Sequence, residues 1–69
     1  MYEVSTSRRV GDRDYELSGL VEAATPFLAA RQFAVDMLTL GLEPEAIVVV
    51  RHGHVTCFRV EKNILREEA

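Results

Sequence analysis

The sequence predicts an α+β protein of two layers, in which a four-stranded antiparallel sheet carries one helix on one face. Three observations support this fold class: one long helical segment lies near the middle of the 69-residue chain, two alternating segments precede it, and two apolar segments follow it. The predicted order is strand, strand, helix, strand, strand (ββαββ) in a single domain, residues 1–69. The predicted strands are about 2–10, 15–23, 46–51 and 54–60, the helix is about 26–40, and 61–69 is a short frayed helix or a loose tail.

The first two strands are expected to form a hairpin with one apolar and one polar face. Apolar and polar residues alternate along 2–10 and 15–23, and the stretch 11–14 (GDRD) has the composition of a turn. A loop of either two or four residues leaves both apolar sets on one face. Leu20 is the odd apolar residue of the polar face, and Gly19 marks a bulge or a close approach by the helix. The polar face would display Glu3, Ser5, Ser7, Arg9, Glu16, Ser18 and Glu22.

The helix has start and stop signals at both ends. Thr25 can accept a hydrogen bond as the N-cap, and Pro26 suits the first helical position. Gly41 suits the left-handed C-terminal cap, and Pro44 prevents continuation.

Helical spacing divides this segment into a polar stripe and an apolar side. Leu28 and Val35 are placed at the margins of the apolar side, where they either cover the sheet's edge or contact another chain. The predicted apolar side comprises Phe27, Ala30, Phe33, Ala34, Met37, Leu38 and Leu40.

The last two strands are expected to pair as a second hairpin. Residues 46–51 (AIVVVR) are nearly continuous in apolarity, which is typical of a strand that is central or covered on both faces. His52 and Gly53 can form a two-residue turn, with the glycine supplying a positive φ. The predicted pairs are Arg51 with His54, Val50 with Val55, Val48 with Cys57, and Ile47 with Phe58.

Charge is unevenly distributed along the chain. The net charge of −3 opposes nonspecific attraction to phosphate backbones. Residues 1–45 carry eight acidic residues against four arginines, whereas 46–60 carry two arginines, two histidines and no acid. Seven of the eight basic residues are arginine, which suits interfaces with carboxylates or phosphates, although genomic base composition would produce the same bias. Because there is no signal peptide and no apolar run near 18 residues, we expect a cytoplasmic protein, in the host cell cytoplasm if a phage encodes it.

The candidate chemical groups favour structural interpretations over catalysis. His52, His54 and Cys57 resemble metal ligands, but strand parity turns the thiol away from His54 and no fourth ligand follows. The same parity opposes a Cys–His nucleophile pair, so we predict an exposed hairpin tip and a buried cysteine. Asp12, Asp14 and Glu16 form a solvated, charged turn interleaved with Arg13, without calcium-loop spacing. The prediction is a protein without enzymatic activity, metal or cofactor.

Nucleic-acid binding remains the alternative. The basic and histidine side chains that could contact phosphates are Arg9, Arg51, His52, His54 and Arg59. Sheets that bind nucleic acid usually expose aromatic residues for stacking on bases. Here every aromatic residue falls on a predicted core face, and these are Tyr2, Tyr15, Phe27, Phe33 and Phe58.

In layout, the chain resembles small phage-encoded anti-CRISPR proteins. The resemblance rests on an opening strand at 2–4 (YEV), passage from a strand into an alanine-rich helix at 21–26 and 29–31, and a closing apolar hairpin over 47–58. It implies a non-enzymatic inhibitor that binds a CRISPR effector complex and blocks recognition of target DNA or recruitment of the nuclease. No residue role is transferred with it.

The sequence thus predicts a protein-interaction module whose partner is a protein complex of the host. The alternative is a small nucleic-acid-binding accessory or regulatory protein of a phage or mobile element, and a homodimer is also compatible with so small a chain. The predicted partner-binding residues are Arg8, Arg9, Asp12, Arg13, Asp14, Glu16, Arg51, His52, His54 and Arg59.

Overall fold

A computed structural model describes residues 1–10, 12–62 and 64–68, with the side chains of Arg8, Arg9 and Val10 outside that description. The described residues form five strands and one helix. The predicted α+β class with an antiparallel sheet is confirmed, whereas the predicted count of four strands is wrong. The elements are β1 (Tyr2–Val10), β2 (Arg13–Val21), α1 (Pro26–Thr39), β3 (Ala46–Arg51), β4 (His54–Glu61) and β5 (Ile64–Glu68).

All neighbouring strands of the sheet are antiparallel, in the order β2-β1-β3-β4-β5. The strand β3 is therefore the middle strand, in line with its continuous apolar sequence. Within the predicted tail, Ile64–Glu68 is neither helix nor loose tail, since it pairs with β4. Leu65 lies beside Val60 and packs against the core, so one apolar contact and a backbone ladder are enough to add this charged strand to the sheet.

The helix α1 begins as predicted and ends one residue earlier. Thr25 is the N-cap, and its Oγ1 accepts a hydrogen bond from the Leu28 N–H at 3.2 Å. Gly41 has a φ of +80°, and the following Leu42 N–H donates to the Met37 carbonyl at 2.9 Å.

The buried side of α1 is narrower than the sequence predicted. It consists of Ala29, Ala30, Phe33 and Met37. Leu38 and Leu40 are exposed, since Leu38 turns away from the sheet and Leu40 lies at the C-cap. The small side chains of Ala29 and Ala30 allow the helix to pack close to the sheet. Little space is then left between helix and sheet for larger side chains.

The core lies between α1 and one face of the sheet. Its strand residues alternate as expected for one covered face, and Phe27 packs edge-on against Phe58 with ring centroids 6.1 Å apart. Thr6 is buried among the apolar side chains, and its hydroxyl donates to the Ala46 carbonyl. The core residues are Tyr2, Val4, Ala29, Ala30, Phe33, Met37, Ile47, Val49 and Phe58.

In both hairpins the pairing defines where the strands meet the turn. Val10 pairs with Arg13, which places β2 at Arg13–Val21 rather than at 15–23. In the second hairpin His52 and Gly53 have φ of 50° and 79°, the backbone of a type I′ turn, and the predicted pairing of Arg51 with His54 is confirmed.

Candidate interaction surfaces

The two charged hairpin ends lie at opposite ends of the sheet. β1 and β3 are antiparallel, with Glu3 paired to Val50 and Ser5 paired to Val48. The turn after β3 therefore lies beside the start of β1, whereas the turn after β1 lies at the far end of the sheet. Apart from Arg59, the predicted partner-binding residues therefore fall into two groups at opposite ends of the sheet.

The end of the first hairpin extends beyond the middle strand. Continuing the β1–β3 register sets Ala46, the first residue of β3, beside Ser7, so the last three residues of β1 pair with β2 alone. The backbones of Arg8 and Arg9 belong to this extension, and their side chains lie outside the described part. The side chains of Asp12, Arg13, Asp14 and Glu16 are all exposed.

Tyr15 is exposed at this hairpin end, which contradicts its predicted place in the core. It lies on the helix-side face by parity, opposite Arg8, but 49% of its surface is accessible. On β2 the residues packed against the core are Leu17 and Val21. Tyr15 is two pairs beyond Leu17, at a level where β1 is no longer paired with β3. Alternation along one strand predicts which face Tyr15 lies on, but it does not predict that β3 does not extend to the level of Tyr15.

The second hairpin end combines Arg51, His52 and His54, all exposed. The Arg51 guanidinium lies over the Tyr2 ring, with Cζ 5.1 Å from the ring centroid, and its Nη1 donates to the Tyr2 Oη at 3.4 Å. Arg51 is therefore engaged within the chain, while the two histidines flank Gly53 at the tip.

Arg59 belongs to neither hairpin end. It lies on the face of the sheet that α1 does not cover, which we call the open face. Its Nε donates to the Glu68 Oε1 at 2.6 Å, and its Nη1 lies 3.8 Å from the Glu61 Oε1. The hydrogen bond and the charge of Glu68, followed by the charge of Glu61, raise the pKa of Arg59 above its ordinary value.

The open face carries exposed and half-buried apolar side chains on β2, β3 and β4. Leu20 and Val55 are 70% and 57% exposed on this face, and Val48 and Val50 lie between them on the middle strand. Where the β1–β3 ladder ends, the face has a depression of about 260 Å³, lined by Ser5, Thr6, Ser7, Glu16, Ala46 and Val48. The apolar residue that the sequence pattern singled out, Leu20, belongs to this surface.

Cys57 also lies on the open face and is exposed, so the predicted buried cysteine is wrong. Its predicted parity is correct, because Cys57 and His54 lie on opposite faces of β4. Among residues 1–10, 12–62 and 64–68, no group of three or more His, Cys, Asp or Glu residues is arranged to hold a metal ion.

The outer face of α1 is a second apolar surface. Leu28 and Val35 are 41% and 50% exposed and lie near the middle of the outer face, not at its margins. They border a groove of about 400 Å³ whose other lining residues are Glu22, Ala23, Arg31 and Gln32. Leu28 and Val35 therefore lie near Glu22 and Ala23, just after the end of β2, and much of their surface remains exposed to solvent.

No family model matches this chain, and no curated protein or solved structure matches it either. Within the described ranges, no helix is long and apolar enough to cross a membrane.

Proposed function

We propose that this chain is a non-enzymatic protein-interaction module and that the end of its first hairpin is the principal contact with the partner. The observation that supports this proposal is the exposure of Tyr15 on a hairpin that extends beyond the middle strand of the sheet. Tyrosine and arginine, together with tryptophan, are enriched among the residues that contribute most to binding energy in protein interfaces.

The surroundings of Tyr15 suit a specific contact. Asp14 and Glu16 flank it in sequence, and Arg13 lies on the same face two residues away. Charged groups around one aromatic residue steer association and select the partner, while the ring supplies most of the buried area. Nine paired positions hold the two strands of this hairpin together before binding, which lowers the entropic cost of association.

The more specific form of the proposal follows from the resemblance in layout to anti-CRISPR proteins. In that form the partner is a CRISPR effector complex, and binding blocks recognition of target DNA or recruitment of the nuclease. The acidic groups Asp12, Asp14 and Glu16 would compete with DNA for a basic surface of the effector. The fifth strand departs from the strand–strand–helix–strand–strand order on which the resemblance rests.

The test uses a panel of purified CRISPR effector complexes loaded with guide RNA. Binding is measured by interferometry, and cleavage of labelled target DNA is measured at increasing concentrations of this protein. The proposal expects stoichiometric binding to one complex, loss of cleavage, and at least tenfold weaker binding by Tyr15→Ala. Val35→Ala is the matched control, because Val35 is 50% exposed on the outer face of α1.

Two results would separate the general from the specific proposal. If no effector binds, the inhibitor form is wrong, and capture of a protein from nuclease-treated host lysate that depends on Tyr15 would support the general form alone. If Tyr15→Ala and Val35→Ala bind equally well, the hairpin is not the contact. Salt-sensitive binding to DNA or RNA, lost in Arg51→Ala with His54→Ala, would instead support the nucleic-acid alternative.

A further inference from the structure

At one level of the open face, opposite charges lie at the two edges of the sheet. One row of residues crosses all the strands at the level where β3 begins. It runs from Glu16 on β2 through Ser7 and Ala46 to Arg59 and Arg66 on β4 and β5. The row is therefore acidic at the β2 edge, small in the middle and basic at the β5 edge.

We propose that two copies of the chain form a homodimer by packing their open faces together about a two-fold axis parallel to β3. Such an axis places β2 of each copy over β5 of the other. Glu16 then faces Arg66 of the second copy, and the symmetry repeats this contact at the opposite edge. This inference goes beyond the proposed function, because it assigns the open face to a second copy of the chain, and Glu16 lies where the two surfaces meet.

The same axis brings apolar residues together in the middle of the interface. Ala46, Val48 and Val50 point outwards from the middle strand, so each meets its own counterpart near the axis. In the next row Ser18 faces Glu68 of the second copy, where a hydroxyl can donate to a carboxylate. Sheets packed face to face with strands within about 30° of each other are a common arrangement, about 10 Å apart.

The available area is sufficient for a weak, specific dimer. Five strands spaced about 4.8 Å apart and roughly 20 Å long give a face of roughly 500 Å² in projection for each copy. Two such faces together bury about 1,000 Å², which is near the lower limit of specific interfaces. Val48 and Val50, which are only half-buried on this face, would lose their remaining contact with water at the centre of the interface.

The proposed symmetry also affects partner binding. An axis parallel to the strands leaves the strand direction unchanged, so the first hairpins of both copies project from the same end of the dimer. The two Tyr15 side chains would then contact one partner together, or two neighbouring sites on it, and gain from avidity.

Charge reversal tests the dimer with surface substitutions. Sedimentation equilibrium of the wild-type chain is expected to show a monomer–dimer equilibrium. Glu16→Arg alone and Arg66→Glu alone are each expected to raise the dissociation constant about tenfold, because each places like charges together twice. The double variant is expected to return to within about threefold of wild type. Glu16 and Arg66 are four strands apart, about 19 Å, within one copy, so this recovery has to arise between copies.

Arg31→Glu on the outer face of α1 is the matched control and is expected to leave the dissociation constant unchanged. Cys57, the single cysteine, supplies a second readout, because its labelling by a thiol reagent should slow above the dissociation constant. The proposal is overturned if the chain stays monomeric up to about 1 mM, a weak limit on the affinity scale. It is also overturned if the double variant fails to recover, or if Val35→Glu disrupts a dimer that the open-face variants leave intact.

Discussion

The Arg51 guanidinium lies over the ring of Tyr2, with 5.1 Å between Cζ and the ring centroid. This contact joins the last residue of β3 to the first residue of β1, 49 positions apart in sequence. Arg51→Ala is expected to lower the free energy of unfolding by about 0.5–1 kcal/mol, the range of exposed cation–π pairs. Urea denaturation, followed by circular dichroism, measures this change in the free energy of unfolding.

Arg51→Lys is the control for this contact, since lysine keeps the charge but not the planar group that stacks on the ring. It should fall between wild type and Arg51→Ala. Equal stability of all three proteins would show that the contact adds nothing measurable.

Gly53 is required by the turn of the second hairpin. Its φ of +79° costs an L-residue about 1–2 kcal/mol, so Gly53→Ala is expected to destabilise the protein by about 1 kcal/mol. Gly19→Ala is the matched substitution. The added Cβ would lie 4.0 Å from the Phe33 ring, an ordinary contact, so stability should stay within about 0.5 kcal/mol of wild type. Thermal unfolding of the two variants, measured under the same conditions, compares their stabilities. Equal losses of stability would contradict this interpretation.

The N-cap of α1 contributes to stability through Thr25. Its Oγ1 accepts the Leu28 N–H, and Thr25→Ala leaves that donor without a protein partner, at a cost of about 1 kcal/mol. Thr39→Ala makes the same substitution at the other end of α1, where the hydroxyl donates to the Val35 carbonyl at 2.9 Å. That carbonyl is already close to water, so little change is expected. Chemical denaturation should rank Thr25→Ala clearly below Thr39→Ala, and the reverse order would contradict the capping role.

Substitution by serine should affect the stability of the protein differently at two adjacent residues of β5, Leu65 and Ile64. Leu65 packs against the core beside Val60, so Leu65→Ser is expected to lower the free energy of unfolding by about 1–2 kcal/mol. Ile64 points to the open face and is 61% exposed, so Ile64→Ser should cost about 0.5 kcal/mol or less. Measurements at low micromolar concentration keep self-association from contributing. Similar small effects at both positions would mean that the strand does not pack as described.

Local signals in the sequence were sufficient to predict the ends of the helix. Thr25, Pro26 and Gly41 define the helix because caps and fixed φ values act within a few residues, and the helix was predicted to within one residue. The alternation along 2–7 likewise identified the covered face, since side chains alternate between faces in every strand, whereas the continuous apolar sequence of 46–51 did not show which face α1 covers.

Only the tertiary structure determined which faces of the strands remain exposed to solvent, and along how much of each strand. Tyr15 has the parity of a core residue, yet it is exposed because β3 begins three residues short of the hairpin's end. Cys57 looked like a buried apolar residue, yet it lies on the face that α1 leaves uncovered. The strand β5 depends on a ladder to β4 and on Leu65, and its charged sequence has little strand character of its own. The candidate contacts arise from the order of strands, which sequence-local interactions do not encode, because pairing between distant segments is settled by the packing of the whole chain.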